Sequence, residues 1–177
     1  IVKVPYDPMR DFSTVSPAAF GYYVMVVHPA LPAKSVWELI VLAKSRPGEI
    51  NYASGGSGSN LALVAELFKV KAGIQVAHVP YKGGGPAMQD LIAGHVPIIT
   101  PIMSSAVLAQ HRAGKARILA VNSPARLKVA PEIPTAIESG MPEMNVQVFN
   151  AVFGPAGMPK DILERLRGVS QKVLQDS

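Results

Sequence analysis

Short apolar runs that alternate with helical patterns are the feature that most constrains the fold of this chain. Residues 22–28, 50–53, 74–79 and 116–121 are apolar and rich in β-branched or aromatic side chains, which predicts buried strands. Stretches of about ten residues with helical spacing of apolar side chains lie between these runs. This order is typical of an α/β layered domain with a mainly parallel sheet.

Local signals refine two of these elements. Ser35 with Glu38 three residues later forms a capping box, which predicts that a helix begins here. We expect Trp37 to be buried on that helix. Residues 96–102 are apolar and strand-like, but Pro97 predicts an edge or irregular strand, because proline cannot donate a ladder hydrogen bond.

A glycine- and serine-rich turn follows the strand at 50–53 and precedes a helical pattern that begins at Leu61. Glycine lets the backbone turn sharply and point its N–H groups into a concavity, and the helix that follows adds unpaired N–H groups and a positive dipole end. Such a turn is suited to an anion. The turn consists of Ser54, Gly55, Gly56, Ser57, Gly58, Ser59 and Asn60.

Three standard motifs do not fit this turn. Leu61 stands where a dinucleotide-binding fingerprint needs its third glycine, and the turn contains no P-loop lysine. Ser59 stands where a nucleophile elbow needs glycine. The alternative to an anion site is a flexible, solvated surface loop.

A second small-residue turn, residues 80–86, also follows a strand and precedes a helix. In open α/β sheets, ligands lie beyond the carboxyl ends of the strands. Two glycine turns at that position predict one ligand site more strongly than a single turn does.

Composition excludes several classes of protein. Hydrophobic residues make up 49% of the 177 and charged residues 16%, which argues against disorder, and no apolar run is long enough for a membrane span. The absence of cysteine excludes disulfides and thiolate metal sites. The net charge of +5 is scattered with few aromatic residues, which disfavours nucleic acid. The four histidines show no metal-ligand spacing, and no cofactor motif is present.

Ordered motifs along nearly the whole chain carry a resemblance to a known family. They are Asn51-Tyr-Ala-Ser-Gly-Gly-Ser-Gly-Ser, His78-Val-Pro-Tyr-Lys-Gly83, Pro131-Glu-Ile-Pro-Thr135 with Glu138-x-Gly140-x-Pro142, and Phe153-Gly-Pro-Ala-Gly157-x-Pro159. In this set the chain resembles the tripartite tricarboxylate transporter receptors, the extracytoplasmic solute receptors called Bug or TctC proteins.

The resemblance implies a periplasmic binding protein of type II-like α/β fold that closes two domains around a small organic carboxylate and presents it to membrane transporter subunits. Family members are longer than this chain, so the chain is expected to be a fragment without the N-terminal part. On this basis residues 1–18 are a crossover from a partial first domain, 19–122 are a complete ligand-binding domain, and 123–177 return to the first domain. Uncovered apolar surface then raises the expectation of a homodimer or strand exchange.

The resemblance also implies which residues bind the ligand. Backbone N–H groups of residues 54–60 and the hydroxyls of Ser57 and Ser59 grip a carboxylate. The neighbouring wall consists of Tyr81, Lys82, Gly83 and Gly84, with Lys82 either a distant counter-charge or a solvated surface lysine.

The chain departs from the family pattern at two places in the expected pocket. Ala62 replaces a histidine that many members have, and Thr100-Pro101-Ile102 replaces Phe-Asp-Asn. The wall at Thr100 is therefore less polar, which predicts an aromatic or longer aliphatic carboxylate rather than a hydroxylated tricarboxylate.

Two other functions stay open at this point. One is an α/β enzyme, with no cofactor, that uses the glycine-serine turn for a phosphate or an oxyanion. Ser57 with His78 is its candidate pair, although no acid is placed to orient the histidine. The other is a truncated assembly domain that binds no ligand.

Overall fold

The computed structural model describes residues 4–175, so the outermost residues of the predicted segments 1–18 and 123–177 lie outside the described part. The chain forms two compact units, which divide at residues 21/22 and 147/148. The larger unit contains residues 22–147, and the smaller unit contains the remainder. The predicted domains of a longer protein, divided at 18/19 and 122/123, stay a prediction.

Strands and helices alternate in the larger unit. Their bounds are β2 Val24–Val27, α1 Val36–Ser45, β3 Asn51–Ser54, α2 Asn60–Ala72, β4 Ala77–Pro80, α3 Gly84–Ile92, β5 Ile98–Ile99, α4 Ser105–Arg112 and β6 Arg117–Val121, followed by a 3-10 turn at Pro142–Met144. A long strand β1, Phe12–Tyr22, precedes them along the chain.

The larger unit has a five-stranded sheet with the order β4-β3-β5-β2-β6. Strand β3 pairs parallel with both β4 and β5. Strand β2 is antiparallel to β5 and to β6, so the other four strands run in one direction. The predicted α/β fold with a mainly parallel sheet is confirmed.

Serine side chains mark the beginning of three helices. Ser35, Ser59 and Ser104 each precede a helix, and each Oγ accepts a hydrogen bond from the backbone N–H three residues later. Such caps satisfy an N–H group that has no partner within the helix. The helix start predicted at Ser35 is confirmed, but the capping box is incomplete, because Glu38 accepts from the N–H of Lys34 at 2.6 Å and not from that of Ser35.

One local expectation was wrong, and another held for only one of its alternatives. Strand β5 is not an edge strand, because it lies between β3 and β2. Pro97 and Pro101 instead flank a strand of only two residues, so the prediction of irregularity holds. Trp37 is 68% exposed rather than buried, because the buried stripe of α1 is Val36, Leu39, Ile40 and Ala43, and position 37 points away from it.

The core of the larger unit lies against β2, β5 and β6. Its fully buried members include Val24, Val26 and Ile99, with Val121 at the end of β6. α2 and α3 both pack against β3. This packing fixes the two helix N-termini close to the end of β3.

The smaller unit consists of β1 paired with β7, Gln147–Pro155, and the helix α5, Lys160–Gln175. Arg167 donates to the carbonyl of Thr14 at 2.8 Å, which ties α5 to β1. Among the described residues, none of the helices is long and apolar enough to cross a membrane.

Candidate functional site

Three parallel strands of the larger unit end at the same edge of its sheet. Ser54 at the end of β3 pairs with Pro80 at the end of β4, and Thr100 directly follows β5. The two glycine turns connect β3 to α2 and β4 to α3 at this edge. The sheet therefore places both turns and both helix N-termini side by side.

The first turn leaves several backbone donors unused. The N–H of Gly56 donates to Ser54 Oγ, and the N–H of Ser59 donates to the Gly56 carbonyl. Among the described residues, the N–H groups of Gly55, Ser57 and Gly58 have no protein acceptor. Unpaired N–H groups of this kind, together with those at a helix N-terminus, are suited to binding an anion.

The two turns approach each other at Gly55 and Gly56. A β-carbon on Gly55 would lie 3.5 Å from the backbone of Gly83 and Gly84. A β-carbon on Gly56, whose φ is +122°, would lie 3.3 Å from the Tyr81 carbonyl. The distance at Gly55 is an ordinary van der Waals contact, whereas Gly56 combines a tight contact with a φ that few residues other than glycine adopt.

A buried serine and a half-buried histidine meet beside the first turn. Ser54 is fully buried, and its Oγ lies 2.6 Å from His78 Nε2 and 3.1 Å from both the N and the O of Gly56. Ser54 therefore joins the turn to strand β4. The hydrolase pair suggested from the sequence is not formed by Ser57, which is exposed.

The His78 ring contacts a cluster formed by Tyr52, Glu66 and Lys69. Its ring stacks on the Tyr52 ring at 4.8 Å between centroids, and the Tyr52 hydroxyl donates to Glu66, which also accepts from Lys69 at 2.8 Å. Burial raises the pKa of Tyr52, and Glu66 raises it further. Burial alone would raise the pKa of Glu66, but the hydrogen bonds from Lys69 and Tyr52 hold it below its ordinary value.

The second turn is fastened differently. The Tyr81 hydroxyl donates to Asp90 at 2.6 Å, so it is engaged within α3 rather than free at the edge. That bond, with the nearby His95, lowers the pKa of Asp90. Lys82 is exposed, and Gly83 caps α3 with a φ of +115°.

The remaining predicted residues lie at the same edge but differ in exposure. Thr100 is 2% exposed and donates to the Leu61 carbonyl at 2.7 Å, which joins β5 to α2. Asn60 is exposed, and its side chain hydrogen-bonds Tyr23, the buried residue before β2. Burial raises the pKa of Tyr23, and the bond to Asn60 partly offsets this rise. Ser59 caps α2.

Sequence reasoning missed Asn122, which follows β6 at this edge. It is 1% exposed, and within the described part of the chain its Oδ1 has no hydrogen-bond partner. An unsatisfied buried acceptor is costly and rare. Its signal in the sequence was only a polar residue directly after an apolar strand.

The described residues contain no cluster of three or more histidine, aspartate or glutamate side chains that could hold a metal ion. The predicted site residues at this edge offer backbone donors, the Ser57 hydroxyl and the exposed Lys82 ammonium.

Comparison with known proteins points the same way. The model of the tripartite tricarboxylate transporter family receptor matches residues 1–176. A curated Bordetella pertussis relative, Protein BugT, is 36% identical over 173 residues, covering 98% of this chain and 53% of the relative. The UPF0065 protein in the tcbD-tcbE intergenic region of Pseudomonas sp. (strain P51) is 35% identical, covering 97% of this chain and 51% of the relative. The chain thus spans about half the length of these relatives.

Solved structures show the same fold. A periplasmic transporter superposes with a TM-score of 0.91 at 34% identity, covering 98% of this chain and 58% of that one. An R. palustris protein with adipate has a TM-score of 0.86 at 34% identity, covering 93% of this chain and 55% of that one. MatC of Rhodopseudomonas palustris with bound malate has a TM-score of 0.87 at 28% identity, covering 98% and 58%.

Proposed function

Because this chain belongs to the tripartite tricarboxylate transporter receptor family, we propose that it carries one side of the carboxylate site of a solute receptor. The two adjacent turns hold a carboxylate through the N–H groups of Gly55, Ser57 and Gly58. The hydroxyl of Ser57 and the charge of Lys82 assist. The single observation that carries this proposal is that these donors have no other acceptor among the described residues.

The ligand class follows from the wall of the site. Ala62 is 4% exposed and has no polar side-chain atom, and the Thr100 hydroxyl donates to the Leu61 carbonyl. Neither residue therefore offers a polar group to a hydroxyl of the ligand. We therefore favour an aliphatic or aromatic carboxylate over a hydroxylated tricarboxylate. One relative binds adipate, which has no hydroxyl, and another binds malate, which has one.

In the whole protein, the proposed receptor captures this carboxylate in the periplasm and delivers it to the membrane subunits of a tripartite transporter. It does no chemistry on its ligand. The enzyme alternative is not favoured, because the serine that contacts a histidine, Ser54, is fully buried and already bonded to Gly56. The finer division into residues 1–18, 19–122 and 123–177 belongs to this proposal.

A titration tests the proposal. We expect adipate to shift the backbone amide resonances of Gly55, Ser57 and Gly58 in the 177-residue chain, with a dissociation constant of about 1 mM, or about −4 kcal/mol. Two or three charge-assisted hydrogen bonds at an open edge account for that affinity. Citrate binding far more tightly than adipate would contradict the ligand class.

Variants separate the site from general charge effects. Lys82→Gln should weaken adipate binding, whereas Lys44→Gln, which removes an exposed lysine from α1, should not. If the chain turned over an acyl or phosphate ester, and if this activity depended on Ser57, the enzyme hypothesis would replace the receptor hypothesis.

A further inference from the structure

A second pocket opens at the opposite edge of the sheet. Val27 at the end of β2 pairs with Arg117 at the start of β6, so this edge is the far one from the glycine turns. The pocket has a volume of about 350 Å³, within the range of small-ligand sites. It is lined by Lys34, Ser35, His111, Arg117, Ile118, Leu119, Glu132, Ile133, Pro134 and Ser139.

Hydrogen-bond donors predominate among its polar side chains. One guanidinium nitrogen of Arg117 donates to the Ala33 carbonyl at 3.1 Å, which fixes the group and leaves its other N–H groups available. His111 Nδ1 accepts from the N–H of Ile118 at 3.3 Å. The neutral ring therefore carries its proton on Nε2, which makes Nε2 a donor. Lys34 has no ion-pair partner within the described residues.

The acidic groups nearby are already engaged. The Glu132 carboxylate faces Arg112 at 3.9 Å, and Arg112 also donates to the Val129 carbonyl. Glu38, at the start of α1, accepts from the backbone N–H of Lys34. Lys34 and Arg117 thus bring two positive charges to the pocket with no acid bonded to either side-chain cation.

The floor of the pocket is apolar. Ile118, Leu119 and Ile133 are each at most 5% exposed. Charge-assisted hydrogen bonds are stronger over such a surface than in water, because the effective dielectric constant is lower.

We propose that this pocket is a second anion site, which binds a small oxyanion such as phosphate or a short carboxylate. Arg117 and Lys34 supply the charge, and the Nε2–H of His111 supplies a directed hydrogen bond. The site is independent of the glycine turns and of the receptor function.

Titration of the ¹⁵N-labelled 177-residue chain with inorganic phosphate, at constant ionic strength, tests the proposal. We expect saturable shifts of the Arg117 side-chain Nε–H and of the His111 ring resonances. A parallel titration with adipate identifies which source of oxyanion the pocket prefers. Shifts confined to the amides of Gly55, Ser57 and Gly58 would overturn the second site.

Lys34→Gln should raise the dissociation constant for phosphate about fivefold. The matched control Lys44→Gln removes the same charge near the other end of α1 and should leave the constant unchanged. Arg117→Lys keeps the charge but loses the planar donor set, and should also weaken binding if the chain's thermal midpoint is retained. Equal weakening by Lys34→Gln and Lys44→Gln would show a general charge effect and contradict the proposal.

Discussion

Ser54 and Ser57 lie three residues apart in the same turn and have different roles. Ser54 is fully buried, and its hydroxyl joins Gly56 to His78. Ser57 is exposed, and its hydroxyl has no hydrogen-bond partner among the described residues. The first serine holds the shape of the turn, and the second is available to a ligand.

Replacement of the two serines separates these roles. We expect Ser54→Ala to lower the free energy of unfolding by about 1–3 kcal/mol, because the Gly56 N–H loses its acceptor in a buried place. Ser57→Ala should change it by less than about 0.5 kcal/mol but weaken adipate binding. Urea unfolding and titration measure the two quantities. Equal stability loss in both variants would contradict the division of roles.

Gly56 and Gly168 make a second matched pair. A β-carbon at Gly56 meets the Tyr81 carbonyl and an unfavourable φ, so Gly56→Ala should cost about 1–3 kcal/mol of stability. Gly168 lies inside α5, and a β-carbon there has nothing within 4 Å. Gly168→Ala should therefore stabilise the chain by up to about 1 kcal/mol. Thermal unfolding of both variants measures the contrast, and stabilisation by Gly56→Ala would show that the turns tolerate separation.

At the scale of elements, α3 is held to its turn by the bond from Tyr81 to Asp90. Because this bond lowers the pKa of Asp90 in the folded chain, the carboxylate contributes stability that is fully present above its unfolded pKa, about 3.9. That stability is lost as the pH falls through the lowered folded pKa.

We therefore expect Asp90→Asn to be less stable than the original chain at neutral pH, and the difference to shrink below about pH 4. The variant Tyr81→Phe removes the same hydrogen bond from the donor side. The double variant should therefore lose less free energy of unfolding than the sum of the losses in the two single variants. Urea midpoints from pH 7 downward measure the effect. A difference that grows towards acid pH would show that another group controls it.

The elements could be predicted because their signals are local. Ser35 before α1 and the small-residue turns before α2 and α3 indicate helix starts from neighbouring residues alone. The side-chain pairs could not be predicted, because they depend on strand register. His78 stacks on Tyr52 only because β3 and β4 pair these two residues directly. Likewise, Pro97 suggested an edge strand. The sequence could not show that β5 is only two residues long and lies between two other strands, because strand order is a tertiary property.

At the scale of the whole molecule, the two units differ in how well their apolar side chains are buried. The larger unit contains the core, whereas Val15 is the one buried hydrophobic side chain of the smaller unit among the described residues. Phe20, Phe149 and Val173 there are more than 60% exposed. Since burial supplies most of the stability of a fold, the smaller unit should open at a lower free energy.

Hydrogen exchange measures this difference. We expect amides of β7 and α5 to exchange well before those of β2 and β6, whose residues are almost fully buried. Exchange at two protein concentrations adds a control for self-association. If the smaller unit gains protection as concentration rises, a second copy covers its apolar side chains, as the expected homodimer requires. Protection of α5 equal to that of β6 at the lowest concentration would contradict the burial argument, because the exposed stripe of Ile162, Leu166, Val169 and Val173 would then be stable without cover.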